Sequence, residues 1–239
     1  MVGVQTIFSR KGYKMKIVIL NASFRKNGAT AKILNEFANQ LNLHTDTNVE
    51  IFHLSDLNIK YCQGCCSCYK TGACFLCDDA EMLSKTISAA DGLIIGSPCY
   101  ASGVSGQLKT FIDRGHFVIE QLLKDKHTIG VVTYENAGGG SVWSTLKTLF
   151  VFSGAKTASK LVVKIPFNSN PVEVENIKMQ IKNNADKLYN SIRNRSSSPL
   201  NKIIHFFVFK FGIKPFVTKK GEAYQGVLHH WRERGISHK

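Results

Sequence analysis

The apolar positions of this chain change period as it runs. Residues 16–21 (KIVILN) are a short run of branched apolar side chains, the pattern of a strand buried on both faces of a parallel sheet. Residues 28–43 then place Ile33, Leu34, Phe37, Ala38 and Leu41 on one stripe at helical spacing, which predicts an amphipathic helix. Residues 49–54 alternate as a second strand. A helix is predicted over 79–90, with Met82, Leu83 and Ile87 at helical spacing. Residues 92–96 (GLIIG) form another apolar strand, followed by a long helical pattern over 104–123. A fourth strand is expected at 127–133, a helix at 141–152, a fifth strand at 160–166, and a helix at 172–193 behind Pro171. Strands that alternate with helices in this way predict an α/β fold with a doubly wound parallel sheet. A ligand is then expected outside the carboxyl ends of the strands.

Ser196, Ser197, Ser198 and Pro199 read as a hinge. The expected organisation is therefore an extension over 1–14 that is flexible, the α/β domain over 15–195, and a basic, aromatic C-terminal extension over 196–239 that is helical. Met15, just ahead of the first strand, is a plausible true start. No apolar run reaches the roughly 18 residues that a membrane span needs, and the N-terminus has no signal-peptide pattern, so a cytoplasmic location is expected. The net charge of +14 is uneven: residues 1–16 carry four bases and no acid, and residues 199–239 carry eight bases and two acids. Solvated basic ends explain this simply; attraction to an anionic partner, cofactor or membrane surface explains it more sharply. No nucleic-acid-binding motif accompanies the charge, so nucleic acid is not expected as a partner.

Six of the seven cysteines fall between Cys62 and Cys77. Cys62, Cys65, Cys68 and Cys74 follow C-x2-C-x2-C-x5-C, four soft ligands from one short loop after the second strand. Iron–sulfur ligation, zinc, and unmetallated or redox-labile thiols all suit that composition; Cys66 and Cys77 allow alternative tetrads.

Three loops at strand ends carry further chemistry. The first strand runs into N-A-S-F-R-K-N-G-A-T, residues 21–30, with hydroxyls at Ser23 and Thr30, cations at Arg25 and Lys26, and a helix directly after. Such a loop can wrap a phosphate at the positive end of a helix, or serve as a capped turn. It is neither a Walker A loop nor G-x-G-x-x-G. The third strand ends in Pro98, Cys99, Tyr100, Ala101 and Ser102, a rigid loop whose backbone can meet the edge of a planar ring. The fourth ends in Gly138, Gly139 and Gly140, where backbone can approach a ligand closely.

These residues carry a resemblance. The 21–30 loop, the cysteine loop with D-D-A-E-M, A-D-G-L-I-I-G-S-P-C-Y and G-Q-L-K-T-F-I-D-R are similar to the NAD(P)H-dependent FMN reductases of flavodoxin-like fold, and more narrowly to their iron–sulfur flavoprotein branch, over residues 15–195. The resemblance implies a five-stranded sheet of order 2-1-3-4-5, bound FMN, and NAD(P)H as co-substrate. It implies that Ser23, Arg25, Asn27 and Thr30 hold the FMN phosphate. Pro98, Cys99, Tyr100, Ala101 and Ser102 would line the isoalloxazine, with Gly138, Gly139 and Gly140 over its other edge. Cys62, Cys65, Cys68 and Cys74 would match the branch's [4Fe-4S] ligands, leaving Cys66 and Cys77 without a role. The chain departs from the family at Ala22, where Gly is common, at Cys99, often Val, and at Ala101, often aromatic.

The flavin reading requires no acid or base from the protein, so His116 and Glu135 are assigned to surface or packing. The implied function is transfer of electrons from a pyridine nucleotide through FMN to an unidentified acceptor, in a homodimer or homotetramer. Its rivals are a flavodoxin-type electron carrier, disfavoured by the basic charge, and a cysteine-rich metal-binding interaction module. Ile203, Phe206, Phe207, Phe209, Phe211, Ile213 and Phe216 are too many apolar residues for a solvated tail. They are expected to pack on their own domain or a sister subunit; the alternative is a basic amphipathic helix at a membrane.

Overall fold

The computed structural model describes residues 14–196 and 198–236. Five strands form one sheet: β1 (Met15–Asn21), β2 (Thr47–His53), β3 (Gly92–Pro98), β4 (His127–Tyr134) and β5 (Lys156–Lys164). Their order is β2-β1-β3-β4-β5 and every pairing is parallel, which is the flavodoxin-like arrangement. β3 is buried throughout, as its apolar run over 92–96 requires of a central parallel strand.

Helices cover both faces. α1 (Ala29–Asn42) buries Ile33, Leu34, Phe37 and Leu41 against Ile17, Ile19 and Ile94. α6 (Glu175–Arg193) adds Ile181 and Leu188 to the same cluster. On the other face, α3 (Asp79–Ala89), α4 (Gly106–Arg114) and α5 (Gly139–Phe152) bury Leu83, Ile87, Leu108, Phe111, Leu146 and Phe150. Between them, the short α2 (Ser67–Thr71) lies within the cysteine loop that follows β2.

Two expectations need correction. The helix expected over 104–123 stops at Arg114. Gly115 follows, and His116 and Gln121 take positive φ of 55° and 56°, a conformation that interrupts a right-handed helix. The resulting turns aim His116 and Glu120 at the cysteine loop. The fifth strand begins at Lys156, not 160, because its first residues are polar and only half-buried and give no apolar signal.

The extension forms α7 (Pro199–Phe207), a π turn (Val208–Ile213), α8 (Lys214–Lys219) and α9 (Gln225–Glu233). It builds a third apolar cluster from Ile213, Val217, Val227, Trp231 and Ile236, packed against Tyr69, Val118 and Ile119. The Trp231 indole N–H donates to the Ile119 carbonyl at 2.9 Å. α9 lies directly on α2: a Cβ added at Gly226 would fall on the Gly72 backbone. Residues 1–13, most of the extension expected over 1–14, lie outside the described residues. Among the described residues no helix is long and apolar enough to cross a membrane.

Candidate functional site

The loops after β1, β3, β4 and β5 enclose a cavity of about 520 Å³ at the carboxyl edge of the sheet, within the range of small-molecule pockets. One end is built by the turn into α1. Asn21 closes that turn, its carboxamide oxygen accepting the Ser23 N–H at 3.0 Å while its amide nitrogen meets His53 Nδ1 at 2.8 Å. Ser23 Oγ then accepts the Arg25 N–H at 3.2 Å. The N-cap is Gly28, so no side chain caps the helix, and its first turn holds no acid. Free N–H groups and the positive end of the helix dipole are therefore left for an anion. Ser23, Arg25 and Thr30 all line the cavity here. Buried Thr30 meets Thr133 Oγ1 at 2.7 Å, tying α1 to β4. Lys26 turns away to pair with Asp56 at 2.6 Å, and Asn27 is exposed outside the cavity lining.

The β3 loop forms the wall beside this end. Pro98, Cys99, Tyr100, Ala101 and Ser102 all line the cavity. Tyr100 and Gly103 exchange backbone hydrogen bonds of 3.0 and 2.9 Å around Ala101 and Ser102, both at positive φ. Neither residue is glycine, so the turn is held in a sparsely populated conformation, as is common where backbone must approach a ligand. The Cys99 thiol donates to the Ala137 carbonyl at 3.5 Å.

The β4 loop contributes Tyr134, Glu135, Asn136 and Ala137 to the lining. Gly138 sits one residue behind, at φ +87°, where a Cβ would come within 2.9 Å of Cys99 Sγ and 2.8 Å of Ser102 Cα. Gly138 thus locks the β3 loop against the β4 loop. Gly139 accepts the Tyr134 ring against it, and Gly140 faces open space.

The fourth wall, from Ile165 to Ser169, was not legible in the sequence. Phe167 lies under the Arg25 guanidinium, 4.9 Å from ring centroid, and its N–H donates to Glu135 Oε1 at 3.0 Å. Glu135, assigned to surface or packing from sequence, is exposed and joins two walls of the cavity. An exposed aromatic after the last strand was the available signal.

The cysteine loop is pinned at its base. Buried Arg114 donates to both oxygens of buried Asp78, at 2.7 and 3.0 Å, and to the Lys60 carbonyl at 2.8 Å. Asp78 also caps α3 and accepts the Lys60 N–H at 2.9 Å. Burial opposes its charge, but the hydrogen bond from Arg114 holds its carboxyl below the usual carboxylate range. All six loop thiols are free, and Cys62, Cys65, Cys66 and Cys77 are exposed. Two basic side chains stand beside the sulfurs: Arg114 shares a cavity wall with Cys74, and His116 shares another with Cys68. His116 Nδ1 also lies 2.8 Å from Glu120, which receives His230 of α9 at 2.6 Å. Burial alone would lower the His116 pKa; its bonds to Cys68 and Glu120 push it up to about 10. Among the described residues, the group of three ligand atoms within 4.8 Å of one another is His229, His230 and Glu233 on α9; the thiols of Cys62, Cys65, Cys68 and Cys74 are not gathered in this way.

A family model described as NADPH-dependent FMN reductase matches residues 15–169. An iron–sulfur flavoprotein of Clostridioides difficile (strain 630) is 38% identical over 225 residues, 93% of this chain and 100% of that protein. That is too much of the chain to leave the C-terminal extension out. An iron–sulfur flavoprotein of Archaeoglobus fulgidus is 36% identical over 128 residues, covering 52% of this chain and 56% of its own length. Among solved structures, the apo form of an NADH:FMN oxidoreductase superposes with a TM-score of 0.56 at 19% identity, over 79% of this chain and 94% of that one. A flavodoxin from the domain Archaea gives 0.51 at 10%, over 75% and 99%; at these identities the likeness shows the fold. The chain is a flavin oxidoreductase belonging to the NADPH-dependent FMN reductase family, in its iron–sulfur flavoprotein branch.

Proposed function

We propose that this protein takes electrons from NADH or NADPH on bound FMN and passes them to an acceptor through a [4Fe-4S] cluster on the cysteine loop. The observation that carries this reading is the meeting of the strand-end loops around one cavity whose polar end is the uncapped N-terminus of α1. FMN, when bound, supplies hydride acceptance and onward electron release. In this reading the α1 turn binds its phosphate, with Ser23 and Thr30 offering hydroxyls and Arg25 a charge-assisted bond. Asn27 acts through the shape of the turn. The β3 loop from Pro98 to Ser102 lies along the ring, and Gly138 holds that loop in place from behind, since a side chain there would push Cys99 and Ser102 into the cavity. Phe167 shields the phosphate end from water beneath Arg25.

Cys62, Cys65, Cys68 and Cys74 are soft ligands suited to an iron–sulfur cluster, which supplies one-electron exchange. Their loop is anchored by Arg114–Asp78 at one side and by the packing of α9 on α2 at the other, so its sulfurs start from a restrained backbone. A cluster on this loop is also supported by the names of the curated relatives.

Titration of apoprotein with FMN and with riboflavin tests the phosphate assignment. FMN should bind at least tenfold more tightly, and Arg25→Ala should remove most of that difference, since a hydrogen bond to a charged group contributes roughly 1.5–3 kcal/mol. Equal affinity for the two flavins would overturn it. Iron and sulfide analysis after anaerobic purification tests the cluster: a colourless loop with no iron after reconstitution removes it and leaves the flavin site standing.

A further inference from the structure

The C-terminal extension is apolar on two opposite sides. Its inner side is accounted for: Ile213 and Val217 are buried, Val208 and Phe209 pack with Trp231, and His205 Nε2 meets Gln121 at 2.7 Å. Its outer side is not. Leu200, Ile203, Phe206, Phe207 and Phe211 are each between 51% and 65% exposed. They recur at three- and four-residue spacing and so form one stripe. The rings are contiguous, with Phe206 and Phe207 edge to face at 5.6 Å and Phe207 and Phe211 stacked at 5.7 Å. Phe216 continues the patch on α8. Single exposed apolar residues need no explanation, but a contiguous aromatic patch marks an interaction surface.

The charges around the stripe identify what it meets. Residues 199–220 hold five lysines and no acid. The exposed Lys210 ammonium rests 5.1 Å from the Phe206 ring centroid and 5.6 Å from that of Phe211, and Lys220 lies 5.5 Å from Phe216. Lysines that lie along aromatic rings with their heads in water suit the boundary between acyl chains and headgroups. A second copy of this chain placed stripe to stripe would bring ten lysines together with no acid in either segment, and like charges brought into contact oppose association. An anionic bilayer supplies both the apolar depth and the countercharge.

We propose that the outer face of α7 and the π turn, from Leu200 to Phe211 and continued by Phe216, is a docking surface for an anionic lipid bilayer. The helix lies in the plane of the interface, with its phenylalanines at the acyl boundary and Lys202, Lys210, Lys219 and Lys220 at the headgroups. The inner side stays on its own domain, so docking requires no unfolding.

Cosedimentation of the full chain with vesicles tests this. The protein should pellet with phosphatidylcholine–phosphatidylglycerol vesicles and stay in solution with phosphatidylcholine alone, and added salt should release it. Phe207→Ser/Phe211→Ser should weaken binding by at least about tenfold, and Lys210→Gln/Lys220→Gln by a similar factor, at about fivefold per lysine. All four side chains are exposed, so the circular dichroism of each variant should match the parent's; if the phenylalanine variant misfolds, the lysine variant decides. The proposal is overturned if the parent protein ignores anionic vesicles, or if neither double variant weakens its pelleting. It is overturned equally if Phe207→Ser/Phe211→Ser splits a dimer in sedimentation velocity while the parent leaves vesicles unbound; the stripe would then be a subunit interface.

Discussion

Single residues hold both halves of the site in shape. Gly138 is placed by a φ of +87° and by the absence of room for a methyl group between Cys99 and Ser102. Gly138→Ala should cost roughly 1–3 kcal/mol in urea unfolding, and the purified variant should carry less flavin. Arg114 and Asp78 form a buried pair whose side chains are 2% and 0% exposed. Arg114→Met leaves the Asp78 carboxylate buried without its partner, a loss of about 3–5 kcal/mol, and protease cleavage should move to the cysteine loop. His127 reports on pH. Burial first, then the charge of Lys156, push its pKa down to about 4, and Nδ1 lies 2.9 Å from the Ser191 hydroxyl. The fold therefore holds the ring neutral, whereas the unfolded chain takes up a proton near pH 6.5. Its contribution is complete above the unfolded value and is lost as pH falls towards about 4. Urea-unfolding free energy should drop across that interval, and His127→Gln should flatten the slope.

At the scale of elements, the extension and the cysteine loop form one unit. Gly226 lets α9 approach α2, Tyr224 stacks on Tyr69 at 4.8 Å, and His230 reaches Glu120 and, through it, His116. Trp231 is fully buried at the centre. Trp231→Ala should cost about 3–5 kcal/mol and expose the junction after Arg193 to limited proteolysis before the α/β domain is cut. This coupling was not legible in the sequence, where the extension and the loop are separated by more than a hundred residues and share no periodic pattern. The strands were legible, because branched apolar runs such as 16–21 and 92–96 have few other uses. The 104–123 segment misled because its apolar spacing continues past Arg114; the helix ends at its C-cap Gly115, and the positive φ of His116 and Gln121, which side chains do not announce, keeps it from resuming. Eight of the twelve residues expected at the cofactor line the cavity. Asn27 stands outside it, and the three glycines lie behind Asn136 and Ala137. The wall from Ile165 to Ser169 was missed because a turn after an edge strand has no motif.

Across the whole molecule, the parallel sheet places its loops at one edge, and the cysteine loop leaves β2 as an addition to that frame. The cavity proposed for FMN is formed without the loop, since no cysteine between 62 and 77 lines it. Loss of the cluster should thus leave flavin content and reduction by pyridine nucleotide unchanged while removing one-electron delivery. The +14 charge suits an anionic cofactor, an anionic co-substrate and the lipid surface proposed for the extension, all drawn by the same field. The central claim is that this cavity holds FMN in reach of a reduced pyridine nucleotide. Anaerobic addition of NADPH, and separately of NADH, to the purified protein tests it most directly, followed at the flavin absorbance. Bleaching by one nucleotide or both, with one equivalent reducing one flavin, is the result expected. A bound flavin that dithionite bleaches and neither nucleotide does would contradict it and make the protein a carrier.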